Sequence, residues 1–141
     1  MNSSKRYKKS ELINFTYNIL KKVGLNNSNS KIISDLIIRA DERGVWSHGI
    51  VRLPVYINRI EKKAAKKNPN FKFKKISNNI FHLSGDNGLG YLAANAGIKK
   101  CVSLAKEKGI GLVAISKSNH FGMAANYLEF ASKNKCIAWV Y

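Results

Sequence analysis

"GLVAISKSNHFGMAANYLEFASK", residues 111–133, decides the fold class. Its first six residues form a continuous apolar run ending at Ser116, the pattern of a strand buried on both faces. From Gly122 to Lys133 the pattern becomes that of a helix. Between the two lies a polar corner, "KSNHFG", with His120 in it. Strand, corner and helix in that order form a repeating step of an α/β layer. A corner histidine is either poised for a ligand or is a polar loop residue, and spacing alone leaves both readings open.

The neighbouring segments continue the alternation. "LAANAGIKKCVSLAKEKG", residues 92–109, reads as a packed helix with Leu92, Ala96, Cys101, Leu104 and Ala105 inward and Gly109 at its end. "NNIFHLSGDNGLGY", residues 78–91, reads as a short strand and a glycine-punctuated turn. "FKFKKI", residues 71–76, alternates like a half-buried strand, and "CIAWVY", residues 136–141, begins another. Because the chain ends inside that apolar run, we expect it to be the front part of something longer.

The first half reads as helices. Ser10 is expected to cap "ELINFTYNILKKVG", whose Leu12, Phe15, Ile19 and Val23 recur at helical spacing up to Gly24. "NNSNSK" is expected to be a polar turn, and "SKIISDLIIRADERG" a second helix ending at Gly44. A third helix is expected from Pro54, a residue suited to a first turn, to just before Asn68, with Tyr56, Ile57 and Ile60 as its stripe. The expected fold is therefore mixed α/β: a helical region over residues 1–70, then a partial α/β region over residues 71–141.

Composition narrows the function classes. The chain has 141 residues, 45% of them hydrophobic, enough for a folded core. No run is long and apolar enough to span a membrane, and the basic N-terminus lacks the apolar block of a secretory signal. Cys101 and Cys136 lack zinc-ligand spacing and read as buried free thiols of a reducing compartment, so no metal site and a cytoplasmic location are expected. The net charge of +17 would suit a nucleic-acid partner, but the lysines are spread along the chain. No zinc-finger spacing, glycine clamp or paired aromatic sheet motif accompanies them, and lysine and asparagine rise together, as compositional drift would produce. We expect no nucleic-acid partner.

Two clusters carry candidate chemistry. "GDNGLG", with Gly85, Gly88 and Gly90, follows a strand and precedes a helix, but it matches neither G-x-G-x-x-G nor a triphosphate loop. It reads as structural. In "RADERGVWSHGIVRLPVY", residues 39–56, His48 and Arg52 fall on one face if the segment is helical. Arginine holds a carboxylate by two parallel hydrogen bonds, and histidine moves a proton near neutral pH. The competing reading is a surface patch in which Arg52 pairs with Glu42 or Asp41 and His48 caps a helix. His82 and Asp86 form a further possible pair.

"DERGVWSHGIVRLPVY" and "SKSNHFGMAANY", together with the "GDNGLG" turn, resemble the N-terminal signatures of the malate/L-lactate dehydrogenase family, type 2. The resemblance runs from about Glu11 to Tyr141 and covers only the first two-fifths of a family member. It implies a non-Rossmann nicotinamide enzyme, using NAD or NADP, that interconverts a small 2-hydroxy acid and a 2-oxo acid. It also implies a homodimer or larger homo-oligomer. By the same resemblance His120 and His48 are catalytic, with His120 the proton acceptor. Arg52, Ser47 and Asn119 bind the carboxylate-bearing substrate. Ser118 contacts the cofactor, whose remaining contacts lie beyond residue 141. Tyr91 stands where many relatives have glutamine or histidine, and Ala138 where glycine is common. The alternatives carried forward are an inactive fragment that keeps the fold or pairs with a homologous subunit, and a basic nucleic-acid-binding protein.

Overall fold

A computed structural model describes residues 5–141. Two helices, α1 (Lys9–Lys22) and α2 (Asn27–Glu42), form the expected antiparallel start. Their beginnings differ from expectation. Ser10 lies inside the first turn of α1, and the extended residue before that helix is Lys8, with no side-chain cap. Asn26 caps α2 instead: its Oδ1 accepts from Asn29 N at 2.8 Å. The asparagine-rich stretch read as a turn is therefore largely the first turn of α2. Asn68 locks the arrangement, accepting from Asn26 N and donating to Gly24 O. The buried side of α1 runs through Thr16 and Leu20, and Phe15 is exposed.

Two short 3-10 turns, Trp46–His48 and Ile50–Arg52, lead into α3 (Leu53–Glu61), with Pro54 in its first turn as expected. The helix is shorter than the sequence suggested. Lys63 takes a left-handed conformation (φ 57°), so the lysine run beyond it leaves the helix. Tyr56 and Ile60 face the core.

The sheet has three strands in the order β1 (Lys72–Lys75), β2 (Ile80–Ser84), β3 (Leu112–Ser116). β1 and β2 are antiparallel, whereas β2 and β3 are parallel and are joined through α4 (Gly90–Lys108). That βαβ unit is the α/β step expected from the alternation. Gly97 brings α4 onto β3: a Cβ there would lie 3.0 Å from Ile115 Cδ1. The expected burial of both strands is corrected. β1 is exposed along its length, and β3 is an edge strand with Leu112 and Ile115 exposed. α5 (Ala125–Lys133) begins three residues after Gly122, which has φ 79° and belongs to the corner.

Residues 136–141 form no ladder with any strand among the described residues, contrary to the expected strand. They keep a strand's alternation even so. Cys136, Ala138 and Val140 pack against the core, while Ile137 and Trp139 are 87% and 84% exposed. Both cysteines are free and half-buried rather than fully buried.

One apolar cluster joins Leu20, Ile33 and Ile37 of the first helices to Tyr56, Tyr91, Val102 and Tyr127. It runs across residue 70, so the regions 1–70 and 71–141 share a core. No described helix is long and apolar enough to cross a membrane.

Large apolar side chains remain exposed at β3 and over the last residues. Ile110, Leu112, Ile137, Trp139 and Tyr141 present large apolar side chains to solvent. Such a surface drives association in water. The 141-residue chain is expected to sediment at micromolar concentration as a species larger than a monomer. Analytical ultracentrifugation checks this, and a strictly monomeric boundary would contradict it.

Candidate functional site

The site forms where three segments meet: the 3-10 turns after α2, the buried face of α3, and the corner between β3 and α5. Gly44 (φ 73°) turns the chain out of α2. Asp41, in the last turn of α2, then accepts a hydrogen bond from Ile50 N at 2.7 Å. Gly49 lies against that carboxylate so closely that a Cβ would overlap it. The Arg52 Nε–H donates back to Ser47 O at 2.7 Å. The Ser47 hydroxyl sits 2.9 Å from His48 Nδ1. His48 and Arg52 are thus placed by tight turns about a glycine, not by one α-helical face as their spacing suggested.

The packing at Gly49 supports a direct prediction. Gly49→Ala forces the Asp41 carboxylate aside, an overpacking that costs about 1–3 kcal/mol. Gly44→Ala meets no neighbouring atom and carries only the strain of its positive φ. Chemical denaturation of the two variants is expected to find G49A the less stable, and the reverse order would contradict this packing.

The second wall is the corner. Lys117 takes a left-handed conformation (φ 50°) that bends the chain out of β3. The "GDNGLG" turn is then stitched along it: Gly85 N to Ser116 O, Asn87 N to Lys117 O, Asn119 N to Gly88 O and Gly90 N to His120 O. Gly90 has no room for a Cβ because Asn119 O and His120 lie against it. The amide of Asn119 donates to Asn87 and Gly88, and its Oδ1 accepts from Arg59 at 2.8 Å. The turn read as structural is therefore the mould of the histidine corner, and Asn119 is the brace between them. The exposed Ser118 makes only a long contact, 3.5 Å, from its hydroxyl to Asn119 O.

These walls bring the expected residues together. The His48 and His120 rings stack with centroids 5.5 Å apart. Tyr56, one turn along from Arg52, places its hydroxyl 2.9 Å from His120 Nδ1 and 3.1 Å from the hydroxyl of Tyr91. Arg52 forms no ion pair among the described residues: Glu42 pairs with Lys9, and Asp41 is engaged with Ile50 N. The surface-patch alternative for Arg52 does not hold. His82 and Asp86 do not pair either, since His82 contacts Ser116 and Asp86 holds Lys66 and Asn70 N.

The electrostatics follow from this geometry. Desolvation, then the neighbouring His48, Arg52 and Arg59, hold the His120 pKa below its ordinary 6.5. His120 is consequently neutral at pH 7. Burial raises the pKa of Tyr56 and raises that of Tyr91 strongly, so both phenols remain protonated. The result is a neutral imidazole beside two guanidinium groups, neither of which has a carboxylate partner among the described residues; Arg59 is held by the Asn119 amide oxygen. That arrangement has the charge to attract an anion and a ring nitrogen able to exchange a hydrogen bond or proton with an oxygen.

The fit to a nicotinamide dinucleotide is different. The amides of Gly85, Asn87, Gly88 and Gly90 are all committed within the chain, so the glycine turn offers no cradle for a diphosphate. Among the described residues, no group of His, Cys, Asp and Glu is placed to hold a metal ion.

Sequence reasoning missed Tyr56, Tyr91, Arg59 and Asp41 as parts of the site. The signal for Tyr56 was present, since it follows Arg52 by four residues on a helix.

Comparison with known proteins agrees with the motif reading. A profile of the malate/L-lactate dehydrogenase family matches residues 7–141. A malate/(S)-sulfolactate dehydrogenase of Methanothermus fervidus is 37% identical over 119 residues, covering 84% of this chain and 35% of that protein. A malate dehydrogenase of Pyrococcus abyssi is 34% identical over 132 residues, covering 94% of this chain and 36% of that protein. Among solved structures, malate dehydrogenase from Entamoeba histolytica superposes with a TM-score of 0.89 at 32% identity, over 94% of this chain and 37% of that one. The chain thus spans little more than a third of the length of these relatives. With a family profile matched over residues 7–141 and a relative's fold superposing over 94% of the chain, the chain belongs to the malate/L-lactate dehydrogenase family, type 2.

Proposed function

We propose that residues 5–141 form the substrate-facing part of an NAD- or NADP-linked oxidoreductase that interconverts a small 2-hydroxy acid and its 2-oxo acid. The observation that carries this reading is Arg52, without an ion-pair partner among the described residues and seated beside the stacked His48–His120 pair. Arg52 takes the substrate carboxylate through its free guanidinium nitrogens, while its Nε–H stays on Ser47 O. His120 exchanges the proton of the substrate oxygen: it accepts when the hydroxy acid is oxidised and donates when the oxo acid is reduced. His48, steadied by the Ser47 hydroxyl, flanks the same oxygen. Asn119 supports the substrate by holding the corner against Arg59.

The nicotinamide supplies or takes the hydride when bound. Its diphosphate contacts fall to segments matching the other part of the relatives, and the Ser118 hydroxyl is the one contact assigned to it from this chain. A homo-oligomer and a cytoplasmic setting belong to the same proposal. Half-buried free thiols support the second of these.

The test joins residues 1–141 to the remaining part of the Pyrococcus abyssi relative and follows nicotinamide absorbance with a panel of 2-oxo acids. Turnover with at least one 2-oxo acid, and none with the matching methyl ester, is expected. A folded chimera that reduces no 2-oxo acid would overturn the proposal.

A further inference from the structure

His120 Nδ1 faces inward and meets two groups. The Tyr56 hydroxyl lies 2.9 Å away, and Gly122 N–H points to the same nitrogen at 3.3 Å. Tyr56 in turn lies 3.1 Å from the hydroxyl of Tyr91. Tyr91 is fully enclosed at 0% exposure, and Tyr56 is the only hydrogen-bond partner of its hydroxyl among the described residues.

An order in which Nδ1–H and Tyr91 both donate to Tyr56 leaves the buried Tyr56 proton unpaired, and two orders of donation pass through the Tyr56 hydroxyl. In one, Tyr91 donates to Tyr56, and Tyr56 donates to an unprotonated Nδ1. In the other, a protonated Nδ1 donates to Tyr56, and Tyr56 donates to Tyr91. The second order leaves the buried Tyr91 proton without an acceptor and turns the Gly122 N–H toward another N–H. The first gives both phenol protons an acceptor and leaves the Gly122 N–H, at the longer distance of 3.3 Å, sharing the Nδ1 lone pair. A buried hydroxyl left unpaired is costly, so the first order dominates.

We propose that Tyr56 is a positioning residue that holds neutral His120 with its proton on Nε2, so that the resting site offers a hydrogen-bond donor to a ligand oxygen. For the proposed reaction this means that the site in its resting state is complementary to the carbonyl of a 2-oxo acid. Uptake of a proton at Nε2 from a hydroxy acid first requires the ring to change tautomer: the Nε2 proton leaves to solvent, a solvent proton arrives on Nδ1, and the two phenol hydroxyls turn about to receive its hydrogen bond. That consequence rests on the dehydrogenase reading, but the tautomer itself does not.

The tautomer is read directly from two-bond proton–nitrogen spectra of the 15N-histidine-labelled 141-residue chain at neutral pH without substrate. His120→Asn assigns the signals among the three histidines. The Nε2–H form of His120 is expected in at least about a tenfold excess. In Tyr56→Phe that excess is expected to fall below about threefold, because Gly122 N–H alone holds Nδ1. Equal tautomers or an Nδ1–H form in the unsubstituted chain, or an undiminished excess in a folded Y56F, would overturn the proposal. Should Y56F not fold, a scalar coupling between the Tyr56 hydroxyl proton and His120 Nδ1 in the unsubstituted chain supports the proposal, and its absence overturns it. Since no substrate is present, failure of the dehydrogenase reading leaves this result intact.

Discussion

His120→Ala, in the chimera with the Pyrococcus abyssi segment, is expected to slow single-turnover hydride transfer by roughly 10²–10⁴-fold, with little change in cofactor affinity. This is the usual contribution of one positioned acid–base group. The corner explains why the group is precise. Lys117 turns the chain, the "GDNGLG" amides stitch it down, and Gly90 lets the start of α4 press against the backbone of His120. A histidine held in this way loses little to misorientation.

The pH dependence follows from the shift. The His120 pKa lies below 6.5 because of desolvation and then its cationic neighbours, so the neutral form persists below that pH. Hydroxy-acid oxidation needs the neutral imidazole. Its acid limb is therefore expected below pH 6.5 and should vanish in H120A. The same sign applies to stability: His120 binds its proton less readily folded than unfolded, so its contribution is present above the unfolded pKa and is lost as pH falls. Rapid-mixing absorbance across pH provides the measurement. A near-normal H120A rate with an unchanged profile would remove the acid–base role.

Arg52→Ala is expected to lower kcat/KM for the carboxylate substrate by roughly 10–10³-fold, chiefly through KM. Losing one partner of a desolvated charged pair costs on the order of 2–5 kcal/mol, and the solvent exposure of Arg52 lowers this to about 1.4–4 kcal/mol, the stated fold range. Arg52→Lys should recover only part, because an ammonium lacks the planar fork. The methyl ester of the same substrate should be affected far less by R52A, since it has no carboxylate to lose. Steady-state kinetics with acid and ester decide it: equal losses for both would mean that Arg52 orders the turn rather than binds the acid.

Spacing alone left His48, Arg52 and His120 open between a site and a surface patch or loop, and only the family resemblance singled them out. "SHGIVRL" and "SNHFG" each carry a histidine within two residues of a glycine, and glycine marks where backbone must approach other atoms closely. The βαβ step was legible for the same reason that any such step is: period-two and helical runs alternate, and Gly109 closes α4 at φ 83°.

Other features depended on tertiary contacts that have no local signature. Ser10 looks like a cap, but α1 begins at an uncapped lysine. Asn26 caps α2 with help from Asn68, 42 residues away. "GLVAIS" reads as doubly buried because apolar composition reports potential burial. In this chain β3 lies at the sheet edge with one face against α4. "CIAWVY" keeps the alternation of a strand without a partner strand among the described residues, since pairing is not encoded in one segment alone. Tyr91 looked like a mere departure from the family pattern. Its hydroxyl gains meaning only when α4 carries it beneath Tyr56.

The claim that the Arg52–His48–His120 cluster is a carboxylate substrate site is tested most directly by titrating the 15N-histidine- and arginine-labelled chain with pyruvate, with methyl pyruvate as the control. Saturable shifts of the Arg52 Nε and His120 ring signals are expected with pyruvate. Much weaker shifts are expected with the ester, and the saturable response should be lost in R52A. Absence of a saturable shift with pyruvate, or equal shifts with acid and ester, would contradict the claim.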